Sequence, residues 1–307
     1  EKRELFFARD RFGKKPLFYC LDSGILILAS EIKSILASGN LKPEIDFNMV
    51  DHYLCRMYLP PDKSIYKNIY QLPPAHFAIF RKGRIDIKRY WKLSYKPIDV
   101  SYEDAKKEVH RLLISAVSKR LLSSDVEVGT FLSGGVDSSL VTLIVAKIKK
   151  DPLKVFSVSY KNHDELAFAL EVSDKVKSDL FKINIDFPSV SELENVLEYF
   201  DEPHADTSDF PQHLISQLAS EKLKVVLSGD GADELFLGYK WHLNKDRVDI
   251  FDRRLNEICA FDKRGRIKLW GSDKNISDDL LDTEIYDGLF SEIEKLEMFD
   301  ITSHLPG

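Results

Sequence analysis

Cysteine is scarce in this chain of 307 residues: only Cys20, Cys55 and Cys259 are present. They stand far apart in sequence and offer neither a disulfide framework nor a Cys-x-x-Cys metal or redox pair. Each reads as a core or surface thiol. Long apolar runs are also missing. No stretch reaches the roughly 20 apolar residues a membrane-spanning helix needs, and no signal-peptide pattern opens the chain. The expectation is a cytoplasmic protein with no membrane partner. Finally, no glycine loop is followed by Gly-Lys-Ser/Thr, which excludes a Walker phosphate loop.

With 44% hydrophobic and 31% charged residues, the chain has enough apolar mass for a sizeable core, and its length suits two domains. The net charge of −6 is unevenly spread. Residues 1–100 hold 18 Lys+Arg against 11 Asp+Glu, a surplus of seven positive charges. The remainder holds 26 against 39, a surplus of thirteen negative charges. The basic residues Arg81, Lys82, Arg84, Lys88 and Arg89 are interspersed along hairpin strands. That pattern suits a solvated face rather than a nucleic-acid stripe, so no nucleic acid is expected as a partner.

The most informative stretch runs Val128-Gly129-Thr130-Phe131-Leu132-Ser133-Gly134-Gly135-Val136-Asp137-Ser138-Ser139. A β-branched and aromatic run leads through two glycines into an apolar helical pattern, which predicts strand, turn and helix. Adjacent glycines allow close approach of backbone to a ligand, and a helix N-terminus directs unpaired amides and a positive dipole at an anion. A phosphate is the natural occupant. Asp137 beside it calls for a divalent cation, most often magnesium, between carboxylate and phosphate. The alternative is a plain glycine turn.

Strands and helices alternate after this loop: strand 153–160, helix 164–176, strand 181–185 and helix 191–200. Such alternation implies a parallel sheet covered on both faces, with ligands beyond the carboxyl ends of its strands. Upstream, Ser101 caps a helix running to about residue 122, with Ala105, Val109, Leu112, Leu113, Ala116, Val117 and Leu121 as its buried face. The stretch Lys224-Val225-Val226-Leu227-Ser228-Gly229-Asp230-Gly231-Ala232-Asp233-Glu234 repeats the design of a strand opening into glycines and acids. Two such loops at one sheet edge would enclose a single nucleotide, with Asp137 and Asp233 sharing its metal. Taken alone, the second loop also reads as a turn with solvated acids.

The first hundred residues predict strands at 5–8, 16–19 and 25–29, the first two joined by a tight turn, then a short helix capped by Ser30 and ending by Gly39. Residues 46–59 carry helical spacing stopped by Pro60-Pro61. A hairpin at 77–90 turns at Lys82-Gly83, and residues 92–100 read as a linker.

The loop Ser-Gly-Gly-x-Asp-Ser resembles the pyrophosphate-binding loop of the ATP pyrophosphatases, which split ATP into AMP and pyrophosphate. Its pairing with Ser-Gly-Asp-Gly-x-Asp-Glu, followed by Phe236 and Gly238-Tyr239, is similar to the glutamine-hydrolysing asparagine synthetases. The segment Asp201-Glu202-Pro203-x-Ala205-Asp206-x-Ser208-x-x-Pro211 matches the same family. So do Ala8-Arg9-Asp10-Arg11-Phe12-Gly13-x-x-Pro16-Leu17-Phe18-Tyr19, Ala29-Ser30-Glu31-Ile32-Lys33, Leu72-Pro73-Pro74-Ala75-His76 and Tyr90-Trp91. The resemblance covers residues 4–240 and thins beyond. Met298, Asp300 and His304-Leu305-Pro306 look like the start of a later family segment.

The resemblance implies a fold in two parts. Residues 1–95 would be the C-terminal part of an α+β, Ntn-type glutaminase domain. Residues 101–307 would be a C-terminally truncated α/β, parallel-sheet ATP-pyrophosphatase domain, like the adenine nucleotide alpha hydrolases. It also implies a piece of a longer protein, because the family's N-terminal cysteine and its adenylate lysine lie outside residues 1–307. The implied reaction converts aspartate to asparagine with ATP and with ammonia from glutamine, through an aspartyl adenylate, releasing AMP and pyrophosphate. Leu132, Ser133, Gly134, Gly135, Asp137, Ser138, Ser139, Val158, Ser228 and Gly229 would bind ATP, and Asp137 and Asp233 would hold Mg2+. Asp230 would assist adenylate formation or ammonia attack where the family often carries glutamate, and Asp10 would hold the glutamine amino group. Asp10 between two arginines also reads as a structural ion pair. A homodimer is implied by analogy. The rival readings are a β-lactam synthetase-like enzyme, which Asp230 disfavours, and a non-catalytic nucleotide-binding homologue.

Overall fold

The computed structural model describes residues 3–39, 41–94, 96–149, 151–160, 165–204, 206–243, 259–272 and 292–304. The chain divides into two units: Glu1–Tyr95 with Phe200–Ala205 and Asp233–Gly307, and Lys96–Tyr199 with Asp206–Ala232.

The first unit holds two antiparallel sheets. In one, β1 (Leu5–Ala8) pairs with β5 (His76–Arg81), which pairs with β6 (Arg84–Arg89). In the other, β2 (Phe18–Asp22) lies between β3 (Ile25–Ala29) and β4 (Tyr70–Gln71). The turns Ser23-Gly24 and Lys82-Gly83 have both residues at positive φ, which matches the twist of tight hairpins. Successive residues of β2 and β3 serve opposite faces. Tyr19, Leu26 and Leu28 pack with Phe7 and Ala78 of the other sheet, whereas Phe18, Cys20 and Ile27 pack against Ile32 and Ile35 of helix α1 (Ile32–Ala37). Helix α2 (Phe47–Arg56) is capped by Asp46, whose carboxylate accepts the Asn48 amide at 3.0 Å.

The second unit is built on a parallel sheet in the order β10-β7-β8-β9, formed by Val225–Leu227, Val128–Phe131, Lys154–Tyr160 and Asp179–Ile185. Helix α3 (Tyr102–Leu122) starts at Ser101, whose hydroxyl accepts the Asp104 amide at 3.2 Å. It packs with α4 (Val136–Ile148) and α5 (Glu165–Val176) on one sheet face, around Val117, Val145 and Val155. Helices α6 (Val190–Leu197) and α7 (Asp209–Ser220) cover the other face, where Phe156 and Val158 meet Phe210 and Ile215. A reciprocal capping box between Ser189 and Glu192 opens α6. The chain runs β7, β8, β9 outward and returns to add β10 on the far side of β7. The carboxyl ends of β7 and β10 therefore flank the switch point of the sheet.

Several local expectations are corrected. Strands β1 and β2 do not pair with each other, because residues 9–17 form a broad loop built around Arg9 instead of a tight turn. Helix α1 takes no cap from Ser30. Its N-cap is Glu31 without a side-chain bond, and the Ile32 amide donates to Asp201 at 2.5 Å. Helix α2 ends at Met57, in left-handed geometry, before the two prolines. Leu112 of α3 is exposed rather than buried. Helix α7, with Pro211 in its first turn, is an element the sequence reading left without structure. Asp164, Leu305 and Pro306 lie outside the described residues.

Candidate functional site

Strand β7 delivers the chain to the first loop. Leu132 is buried, and its amide donates to the Phe156 carbonyl at 2.9 Å, so sheet hydrogen bonding ends there. Beyond it, the Ser133 and Ser138 hydroxyls lie 2.9 Å apart, the Ser133 amide donates to the Ser138 hydroxyl at 3.2 Å, and the Gly135 amide donates to the Ser133 hydroxyl at 3.2 Å. These bonds hold the loop in shape, with Gly134 at φ 91°. Gly135 caps α4 with no side chain to bond the first helical amides, which leaves that end open to an acceptor from outside the chain. Asp137 lies in the first turn. The Ser139 hydroxyl oxygen is buried without a hydrogen-bond partner among the described residues. A buried hydroxyl in that state is costly unless a ligand completes it. Behind the loop, Thr142 of α4 donates to Thr130 of β7 at 3.0 Å, fixing the helix to its strand.

The second loop follows β10 directly, and its glycine shows why the residue is needed. A Cβ on Gly229 would stand 2.7 Å from the Ser138 nitrogen and 3.1 Å from the Asp137 carbonyl carbon. The structure thus brings Gly229 against the first loop at the switch point of the sheet. Asp230 is exposed and Ser228 half-buried. Val158, at the carboxyl half of β8, is half-buried and pairs with Ile183. Asp233 opens the short helix α8 (Ala232–Phe236) and belongs to the first unit. Its carbonyl accepts the Gly238 amide at 3.0 Å.

Asp10 sits at a different kind of loop. Its carboxylate accepts the amides of Phe12, Lys14 and Lys15 at 3.3, 3.0 and 3.1 Å. Burial pushes its pKa upward, but those three amides together with Arg9 outweigh it and hold the group below its ordinary value. Arg9 is buried and donates to the carbonyls of Lys15, Leu72 and Gly13.

Sequence reasoning passed over a polar chain in the first unit. The Tyr239 hydroxyl donates to buried Glu234 at 2.7 Å, and the Tyr239 amide donates to His242 Nδ1 at 3.2 Å. The other imidazole nitrogen therefore carries the proton and donates to buried Asp300 at 2.7 Å. Burial first, and the Glu234 bond second, raise the Tyr239 hydroxyl far above its usual range. The recurring acids of the Ser-Gly-Asp-Gly-x-Asp-Glu stretch were the available signal for Glu234. Nothing local to His242 or Asp300 indicated that they meet.

A glycine loop entering a helix, with a second glycine loop packed on it at the switch point of a parallel sheet, defines an α/β domain of the class that receives anionic ligands at that edge. A model of the asparagine synthase family matches residues 108–287, and one of the glutamine amidotransferase domain matches residues 1–91. The chain belongs to the asparagine synthase family. It is 38% identical over 265 residues to a Methanocaldococcus jannaschii protein assigned as a glutamine-hydrolysing asparagine synthetase, covering 83% of this chain and 50% of that protein. It is 33% identical over 253 residues to asparagine synthetase (glutamine-hydrolysing) 1 of Bacillus subtilis, covering 81% and 40%. The chain thus spans half or less of the length of these relatives. A glutamine-dependent NAD+ synthetase from Acinetobacter baumannii shares 16% identity at a TM-score of 0.35, covering 78% of this chain and 52% of that one, a likeness too low to carry weight.

Proposed function

We propose that the protein containing this chain makes asparagine from aspartate, with ATP as the activating substrate and glutamine or free ammonia as the nitrogen source. Residues 1–95 then belong to the glutaminase domain and residues 101–307 to the synthetase domain. The observation that carries this reading is the contact of Gly229 with the backbone at Asp137 and Ser138, which packs the two glycine loops together. The family match and the named relatives support the choice of substrates.

A carboxylate is a poor electrophile, so the side chain of aspartate attacks the α-phosphorus of ATP and pyrophosphate departs. Ammonia then attacks the acyl carbon, loses a proton, and AMP leaves. In this scheme the open N-terminus of α4, with Ser133, Gly134, Gly135, Ser138 and the unpartnered hydroxyl of Ser139, holds the departing pyrophosphate in a preorganised setting. Leu132, Val158, Ser228 and Gly229 border the rest of the nucleotide. Asp230, exposed and next in sequence to Gly229, would receive the proton that ammonia loses. Magnesium, for which Asp137 and Asp233 are the candidate ligands, would neutralise phosphate charge. Asp10 would bind the glutamine ammonium with the acceptor capacity its three amides leave over.

The test is AMP and pyrophosphate release by the full-length protein with ATP and magnesium, with aspartate alone and with glutamine or ammonia added. Asparagine formed in step with AMP is the expected result. Asp137→Asn should abolish pyrophosphate release, and unchanged release would remove the loop from the scheme. Product formation that ignores aspartate would overturn the substrate.

A further inference from the structure

The cysteines that look isolated in sequence are not isolated in the fold. Cys55, buried in the last turn of α2, and Cys259, half-buried and 204 positions away, have sulfurs 3.3 Å apart. The backbones around them are already bound together. The amides of Ala260 and Phe261 donate to the carbonyls of Cys55 and Leu54, both at 3.1 Å, taking up two carbonyls that the end of α2 leaves unpaired. A few residues on, Arg266 and Trp270 of the helix Lys263–Trp270 each reach the Asp51 carboxylate at 2.9 Å. The two thiols therefore face each other across an anchored contact. The third cysteine, Cys20, lies fully buried on β2, outside this pair.

We propose that Cys55 and Cys259 are a modification site, a dithiol that closes to an intramolecular disulfide by exchange with a small-molecule disulfide. Bringing the sulfurs from 3.3 Å to bonding distance near 2.05 Å takes a shift of roughly 1.3 Å, within reach of side-chain rotation. The order of events follows from exposure. Cys259 is the accessible thiol, and it donates to the Phe261 carbonyl at 3.1 Å, which leaves Cys55 as the donor between the two sulfurs. Burial, then that hydrogen bond, push the Cys55 thiol above its ordinary value, so it is the poorer first nucleophile. Cys259, its proton lost to solvent, attacks the reagent disulfide as thiolate, forming a mixed disulfide and releasing one small thiolate, which takes up a proton from solvent. The Cys55 sulfur then attacks the Cys259 sulfur, its proton going to the second small thiol as that leaves. Two protein thiols are oxidised to one disulfide, and one reagent disulfide is reduced to two thiols.

The test uses the full-length protein incubated with oxidised glutathione, alkylated under denaturing conditions, then reduced and alkylated with an isotopically distinct reagent. The expected result is that Cys55 and Cys259 carry the second label to equal extents while Cys20 carries the first. A closed loop of this size should also migrate faster on a non-reducing gel. Cys55→Ala should leave Cys259 as a persistent glutathione adduct, and Cys259→Ser should leave Cys55 carrying the first label. In the wild-type protein, a lasting glutathione adduct on Cys259, or the first label on both cysteines, would overturn the proposal without depending on either variant. A Cys20→Ser variant should close the disulfide as the wild type does, and failure to do so would count against the assigned pair.

Discussion

Two polar loops of similar size spend their hydrogen bonds differently. In residues 9–15, Arg9 satisfies three carbonyls and Asp10 satisfies three amides, so the loop holds itself. In residues 132–139 the serines bond within the loop, while the α4 N-terminus lacks a side-chain cap and the Ser139 hydroxyl is buried without a partner among the described residues. The first pattern is that of a loop closed largely on itself, the second that of the loop proposed to receive an outside anion. The lesson is that glycine and aspartate alone do not separate them, since both loops contain both; the count of satisfied groups does.

The sharpest way to break the contrast is to close the open loop. Gly229→Ala forces a methyl against the backbone at Asp137 and Ser138, and should lower pyrophosphate release by roughly 100-fold or more, the scale expected when a positioning element shifts by about an ångström. Activity within threefold of wild type would mean the loops need not touch. On the self-satisfied side, Arg9→Met strands three carbonyls and should cost roughly 3–5 kcal/mol in urea unfolding, against little for a solvated arginine.

Carboxylates within the first unit sharpen the comparison further. Asp10 accepts three amides and titrates low, whereas the half-buried Glu202 accepts, among the described residues, the Ile65 amide at 2.7 Å and is pushed up to about 7 by burial. The signs are therefore opposite. The raised Glu202 contributes stability that is complete below its ordinary value of 4.5 and lost as pH rises through about 7. Glu202→Gln should flatten that slope, on the order of 3 kcal/mol across the window, measured by denaturant midpoints between pH 4 and 8. Asp10, with its lowered pKa, contributes stability present above its ordinary value of 3.8 and lost as pH falls through its folded value. Asp10→Asn keeps one acceptor oxygen, so unfolding should change by only about 1 kcal/mol. If Asp10 also binds the ammonium of glutamine, glutamine-dependent asparagine formation falls far more than the ammonia-dependent rate. Equal effects on both would leave the residue a purely structural part.

What the sequence by itself determined is local. The strand–glycine–helix pattern at 128–148, the cap at Ser101, the hairpin at 76–89 and the alternation that builds a parallel sheet all depend on residues a few positions apart, where propensity, turn chemistry and side-chain period act directly. The tertiary structure decided the rest, because those contacts close across long stretches of chain. Strand β1 found β5 rather than β2, α1 took its capping carboxylate from 169 positions away, and Asp51 met Arg266 across 215. The same holds for the facing sulfurs of Cys55 and Cys259 and for Gly229 against Asp137. Which groups meet at such separations depends on how the whole chain packs, since each contact is formed only when many others have already offset the entropy of closing its loop.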